Sequence, residues 1–379
     1  MSQTIEVPRG LAGVVVTDTE LSDVQGEAGF YHYRQYSAVD LAEQCSLEEV
    51  WALLLDGELP SPAARDSFAA EVARLRTLPP ALRPLLPAIA TTAGPLDGLR
   101  TALSLAGAAR NARALRDLNP AQRRMDALFA GAVTPTIVAA LHRLRHGQQP
   151  IDPHPELPYA ANYLYQLTGV EPDPRHARAI EQYLISTIEH GFNASTFTAR
   201  VIAATGADLF ACLCGAIGAL SGPLHGGAPS RALETLEEIG TPDRIDAEIR
   251  RRIATGERIM GFGHPVYRTA DPRSVLLRNL ATALGGELAE FAITVEERVL
   301  ALLAELKPGR PLHTNVEFYA AVVMDQCGLP RDLFTPTFAC SRVIGWGAHI
   351  LEQAQDPKII RPAARYTGPP APQPVPTIG

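Results

Sequence analysis

Two glycine-rich turns each present one histidine. Ser221-Gly-Pro-Leu-His225-Gly-Gly-Ala228 has glycines on both sides of His225, and Met260-Gly-Phe-Gly-His264-Pro-Val-Tyr267 has two before His264. Glycine lets the backbone approach a ligand closely, and imidazole can give or take a proton near neutrality. Either histidine could instead cap a tight turn. The Gly-x-Gly before His264 is weak evidence for phosphate binding, since no strand precedes it. A third segment, His190-Gly-Phe-Asn-Ala-Ser195, puts a histidine at a helix end before small polar residues. Glu317 lies in Thr314-Asn-Val-Glu-Phe-Tyr-Ala-Ala-Val-Val323, where apolar neighbours imply burial. A buried carboxylate has a raised pKa unless partnered, which suits a base, although a structural ion pair fits the same pattern.

Arginines at two positions extend the set. Arg342 sits in Phe338-Ala-Cys-Ser-Arg-Val-Ile-Gly-Trp346 and Arg361 in Ile359-Ile-Arg-Pro362. A guanidinium in an apolar segment needs an anion, from either a protein or a ligand carboxylate. Trp346 and His349, one and two turns beyond Arg342, read as packing residues.

The elements that must position these groups are mostly helical. Ser46-Leu-Glu-Glu49 has capping-box form, and Gly57 and Pro60 end the helix it opens. Ser61-Pro62 starts another, with proline at the first helical position. Thr241-Pro242 is expected to open a helix on Ile245, Ile249 and Ile253 that stops at Gly256. Val295, Val299, Leu302 and Leu306 form a stripe ended by Pro308-Gly309. Thr335-Pro336 opens a segment reaching Gln353. Before Ser46, Val14-Val-Val-Thr17 and Phe30-Tyr-His-Tyr33, with Gly26 and Gly29 between them, predict one or two hairpin strands. The fold class is therefore all-α with a short N-terminal β hairpin. The tail after Tyr366 is proline-rich and expected to be extended.

Composition narrows the function classes. The chain has 379 residues, 46% apolar and 20% charged, which is ordinary for a globular protein of one large and one smaller domain. A net charge of -7 without a Lys/Arg block argues against nucleic-acid binding. The N-terminus does not read as a signal peptide, and the stretch Leu209–Leu220 is too short to span a bilayer. Five scattered cysteines predict free thiols in a reducing, cytoplasmic setting, with no metal pairing.

Taken in order, the segments resemble the citrate synthase family over most of the chain. The match runs through Gly10-Leu-Ala-Gly-Val-Val-Val, Tyr33-Arg34 with Asp40-Leu-Ala, Leu55-Asp-Gly-Glu-Leu-Pro60 and Asp97-Gly-Leu-Arg-Thr. It continues through the His190 segment, Gly222-Pro-Leu-His-Gly-Gly-Ala, Gly261-Phe-Gly-His and Asp271-Pro-Arg. Phe334-Thr-Pro, Arg342-Val-Ile-Gly-Trp-Gly-Ala-His and Arg361-Pro complete it.

The resemblance implies a two-domain helical fold and a homodimer. The large domain would comprise residues 1–226 and 329–379, and a small domain, 227–328, would close over the substrates. The implied reaction condenses acetyl-CoA with oxaloacetate and hydrolyses citryl-CoA. No metal or resident cofactor is implied; CoA arrives as a group carrier. Glu317 matches the base, His225 the donor to the thioester oxygen, and His264 the group that polarises the ketone. Oxaloacetate would be held by His190, Arg273, Arg342 and, from the partner subunit, Arg361. CoA would be taken by the loop Ile259, Met260, Gly261 and Gly263, with Arg268 and Asn315. Glu317 stands where most members carry aspartate, Pro265 where many have arginine, and His313-Thr314 where Tyr-Pro is frequent. These departures leave propionyl-CoA, hence 2-methylcitrate synthesis, as an alternative, and a non-catalytic oxo-acid- or CoA-binding relative as a third reading.

Overall fold

The computed structural model describes residues 5–223, 225, 228–264, 266–307 and 312–376. Among them the chain forms sixteen α-helices and one three-stranded antiparallel sheet. The all-α expectation holds, with one strand more than a hairpin: Phe30–Tyr33 is a strand as expected, and its partners lie at 22–25 and 36–37. The strands are β1 (Ser22–Gln25), β2 (Phe30–Tyr33) and β3 (Tyr36–Ser37), in that spatial order. Ser22 pairs with Tyr33 and Gln25 with Phe30, while His32 pairs with Ser37. Val14–Val16 form no strand.

Alternation in β2 decides what the sheet is for. Tyr31 and Tyr33 point inward and are buried, whereas Phe30 points out. Tyr31 Oη donates to Ser186 O at 3.1 Å, and Tyr33 Oη reaches Ile185 O at 2.8 Å and Glu189 O at 3.1 Å. The sheet is thereby fastened to the end of the helix Pro174–Thr187, next to His190.

The helix punctuation read from sequence is mostly observed. Ser46 and Glu49 form the capping box of Leu47–Asp56, and Gly57 closes that helix in the left-handed region. Ser61 caps Pro62–Leu75. Thr241 behaves differently. Its side chain caps nothing, and a 3-10 turn over Pro242–Arg244 intervenes before the helix Ile245–Thr255. The stripe of Val295, Val299 and Leu302 is buried in Glu287–Leu306; Pro308 and Gly309 lie outside the described residues. All five cysteines are free, and three of them are buried.

Two long helices build the centre. Pro120–Arg145 is long and apolar enough to cross a membrane, yet most of its apolar stretch is buried inside the chain, as in a core helix. Phe334–Gln353 packs along it and also contacts Pro174–Thr187, which brings Arg342 beneath the His190 turn. Leu209–Leu220 is a core helix as expected. Beyond Gln353 the chain leaves the helices, and residues 361–376 are exposed.

Candidate active site

Three aromatic rings meet beside the buried Arg273. His190, in the loop between Pro174–Thr187 and Ala194–Ala203, lies with its ring centroid 5.7 Å from that of His264 and 5.6 Å from that of Tyr267. His264 and Tyr267 are 4.8 Å apart, and Tyr267 Oη is 3.0 Å from His190 Nε2. Two buried arginines flank the cluster. Arg273 opens the helix Pro272–Leu284, where Asp271 caps the backbone and binds the guanidinium through both carboxylate oxygens at 3.0 and 2.8 Å. Asp271 also accepts from Val316 N at 3.2 Å, which ties Arg273 to the helix carrying Glu317. Arg342 donates from Nε to Thr187 O at 3.0 Å and lies over the Phe338 ring. Its terminal nitrogens have no hydrogen-bond partner among the described residues, so they are available to an anionic ligand.

Backbone donors fix the tautomer of His264. Its Nδ1 accepts from Val266 N at 3.0 Å and Tyr267 N at 3.1 Å. A neutral imidazole has one acceptor nitrogen, so the ring proton belongs on Nε2. Arg273 comes within 3.3 Å of that same Nε2, but an arginine can only donate, and the two shorter backbone bonds decide the assignment. Burial, reinforced by Arg273, pushes the His264 pKa down to about 4. Burial and the Arg342 charge bring His225 down to about 4 as well. His190 is held well below its ordinary value by burial and by both arginines. At neutral pH these are three uncharged imidazoles.

His225 has an adjustable partner. Its Nε2 is 2.8 Å from Ser195 Oγ, which is 2.7 Å from Asn193 Oδ1. The hydroxyl has one hydrogen for two acceptor positions. Turned toward Asn193 it leaves the ring proton on His225 Nε2; turned toward His225 it places that proton on Nδ1, which has no partner among the described residues.

Glu317 occupies the first turn of Val316–Gln326, with its N–H on the Asn315 cap at 3.0 Å. Asn315 also donates through Nδ2 to Gly263 O and through N to Gly261 O, each at 2.8 Å, which fastens the glycine loop to this helix. The Glu317 carboxylate keeps a partly open face but is desolvated enough to be pushed up to about 7, against the pull of Arg273 and Arg342 and with help from Asp271. Among the described residues it has no hydrogen-bond donor or salt-bridge partner, so the structural ion-pair reading fails.

Comparison with known proteins gives the same family as the ordered motifs. The model of the family described as citrate synthase, C-terminal domain, matches residues 10–363. The chain belongs to the citrate synthase family. The citrate synthase of Acidithiobacillus ferridurans is 38% identical, with 95% of each chain covered. That of Synechocystis is 39% identical over 95% of this chain and 90% of its own. Among solved structures, citrate synthase from Pyrobaculum aerophilum superposes with TM-score 0.88 at 33% identity, covering 99% of both chains. Citrate synthase from Thermoplasma acidophilum, in ternary complex with carboxymethyl coenzyme A and oxaloacetate, gives 0.90 at 27% identity over 99% of both. Membership makes this chain an enzyme of the acyltransferase type.

The remaining family positions are spread more widely. Gly261 and Gly263 both have positive φ, 89° and 90°, and the bridge Phe262–Thr314 with Gly263 N on His313 O at 2.8 Å holds their loop. Ile259 is buried and Met260 half-buried beside it. Arg268 is exposed, 3.9 Å from Glu27. Arg361 departs from expectation: it is exposed rather than apolar-packed, and no anion partners it among the described residues. Leu224, Gly226, Gly227 and Pro265 lie outside the described residues. No group of three or more His, Cys, Asp or Glu side chains is gathered as for a metal among the described residues. Sequence reasoning gave no role to Tyr31, Glu189, Ser195, Tyr267 or Asp271. Ser195, Tyr267 and Asp271 do fall inside segments it singled out, whereas Glu189 is marked only by preceding His190.

Proposed function

We propose that this chain condenses acetyl-CoA with oxaloacetate, and that the cleft around His190, His225, His264 and Glu317 performs both the condensation and the hydrolysis of citryl-CoA. The observation that carries the reading is His264: an uncharged ring with its proton on Nε2, set between two buried arginines and close to the arginine-linked helix of Glu317.

The arginines supply paired N–H donors for the oxaloacetate carboxylates, with His190 as a further contact. Nε2–H of His264 polarises the ketone. Glu317, with a pKa near neutrality, takes a proton from the thioester methyl group, while His225 donates from Nδ1 to the developing enolate oxygen. That donation requires the Ser195 hydroxyl to turn toward His225. The enolate carbon attacks the ketone carbon, the new alkoxide takes the His264 proton, and water then cleaves the thioester to release citrate and CoA. The glycine loop from Ile259 to Gly263, with Asn315 and Arg268, is the proposed seat of CoA. This chemistry draws on side chains alone and requires no resident cofactor.

A two-domain division at residues 227–328 would let the smaller part close and keep water from the enolate. Arg361 suits a homodimer in which each tail completes the other subunit's site, since it is exposed and no anion partners it among the described residues. The free cysteines suit a reducing compartment. Mixing the protein with acetyl-CoA and oxaloacetate should release CoA thiol; no release with either acetyl- or propionyl-CoA, alongside retained oxaloacetate binding, would leave the non-catalytic relative standing.

A further inference from the structure

The β1–β2 turn meets the active-site loop backbone against backbone. A Cβ built on Gly26 would lie 2.3 Å from the carbonyl oxygen of Val266 and 2.9 Å from its carbon. Gly26 is not among the glycines with positive φ, so an alanine could adopt its backbone; what excludes a side chain is the approach itself. Alongside, Arg268 N donates to Gly26 O at 3.1 Å.

The crowded carbonyl belongs to a peptide with a second duty. Val266 C=O and Tyr267 N–H are the two ends of one planar unit. That N–H is one of the two that hold His264 Nδ1. The turn cannot easily yield to a new atom, because β1 and β2 are anchored behind it: Ser22 Oγ donates to Glu189 Oε1 at 3.0 Å, and Tyr31 and Tyr33 are bound to the end of a core helix. A methyl group at position 26 must therefore push or rotate the 266–267 peptide.

We propose that Gly26 is a positioning residue for His264, its bare Cα letting the 266–267 peptide keep its N–H on Nδ1 and so keep the imidazole proton on Nε2. The inference rests on the reading of His264 as the group that polarises the ketone, but its structural half concerns the ring proton alone.

Gly26→Ala in the full chain tests it, with histidine 15N labelling and a His264→Asn control to assign the resonance. The parent should show His264 with a bare Nδ1 and a protonated Nε2. The variant should melt as a folded protein, show a mixed or reversed tautomer, and lose kcat by on the order of 10- to 100-fold. A folded variant with the parental tautomer overturns the proposal, as does a parent that carries its proton on Nδ1. A variant that cannot fold makes Gly26 a folding requirement and overturns the positioning role. If the parent tautomer is as stated and responds to the substitution, yet no condensation occurs, the functional reading fails and the structural inference stands.

Discussion

His349 Nε2 lies 3.1 Å from Glu189 Oε2, with neither side chain reaching solvent. The contact falls short of hydrogen-bond geometry, so it is an electrostatic approach of ring to carboxylate. Arg200 donates to His349 Nδ1 at 3.1 Å, which leaves the N–H on Nε2, toward the acid. Burial works to raise the Glu189 pKa, but His349 and Arg342 together hold it below the usual value. Glu189 therefore carries a buried negative charge one residue before His190 and within the field of Arg342.

Removing His349 should loosen this arrangement. His349→Ala leaves Glu189 and Arg200 facing an empty space, and a destabilisation of about 1–3 kcal/mol is expected. The KM for oxaloacetate should rise more than kcat falls, because Glu189 adjoins His190 and Arg342, which are proposed to bind the substrate rather than to transfer protons. His349→Gln, which fills the space with an amide N–H able to face Glu189, should recover part of both. Thermal melts and saturation kinetics on the two variants read the outcome; a parental KM in His349→Ala would show that the pair serves folding alone.

Glu317 gives a pH signature in activity. A base works only when ionised, so with Glu317 in the proposed role kcat/KM should climb as pH rises through about 7 and then level off. His225 and His264 add no step between pH 6 and 9, since burial brings both down to about 4. Glu317→Gln should cut kcat at least about 100-fold while oxaloacetate still binds. Turnover surviving in that variant would remove Glu317 as the base.

The same carboxyl links pH to stability. It titrates near 4.5 in the unfolded chain and at about 7 when folded. Between those values the folded state binds more protons, so its contribution is fully present below 4.5 and is lost as pH rises through about 7. Glu317→Gln should accordingly raise Tm at pH 8, by on the order of 1–3 kcal/mol of stability, and leave it unchanged near pH 4. Calorimetry at the two values distinguishes this from a general packing effect.

What could be read from sequence follows the range of the interactions involved. The Ser46–Glu49 cap, the Gly57 stop and the glycine turn before His264 are set within a few residues, and they are where the sequence places them. The ordered motifs brought together groups that no local pattern relates. Glu189 and Tyr31 escaped because their partners are more than 150 positions away, at His349 and Ser186. The valine run at 14–16 misled because β-branched residues favour strands only where a neighbour is available to pair, and the chain pairs 22–25 instead.

The length of the base bears on which thioester is preferred. Glu317→Asp withdraws the carboxylate by roughly one carbon–carbon bond, and a misplacement near 1 Å can cost about 100-fold in rate. If the backbone is set for glutamate, Glu317→Asp should lower kcat at least about tenfold with acetyl-CoA while leaving oxaloacetate KM unchanged. A single methylene in an acyl pocket discriminates by roughly 10- to 200-fold. The parent is expected to favour acetyl-CoA over propionyl-CoA within that range, measured as a ratio of kcat/KM. A ratio inverted toward propionyl-CoA would make the enzyme a 2-methylcitrate synthase.

Arg361 allows a test in which two dead proteins restore each other. Arg361→Ala should lose oxaloacetate affinity and Glu317→Gln should lose turnover, each alone inactive. If each tail serves the other subunit, a mixed dimer holds one site with both residues intact and one with neither. Random reassortment makes half the dimers mixed, so about a quarter of all sites should recover. Mixing the two variants under conditions that exchange subunits and assaying thiol release reads this directly. Activity that stays at the level of the separate variants, with exchange demonstrated, would place Arg361 in its own subunit's site or outside the site altogether.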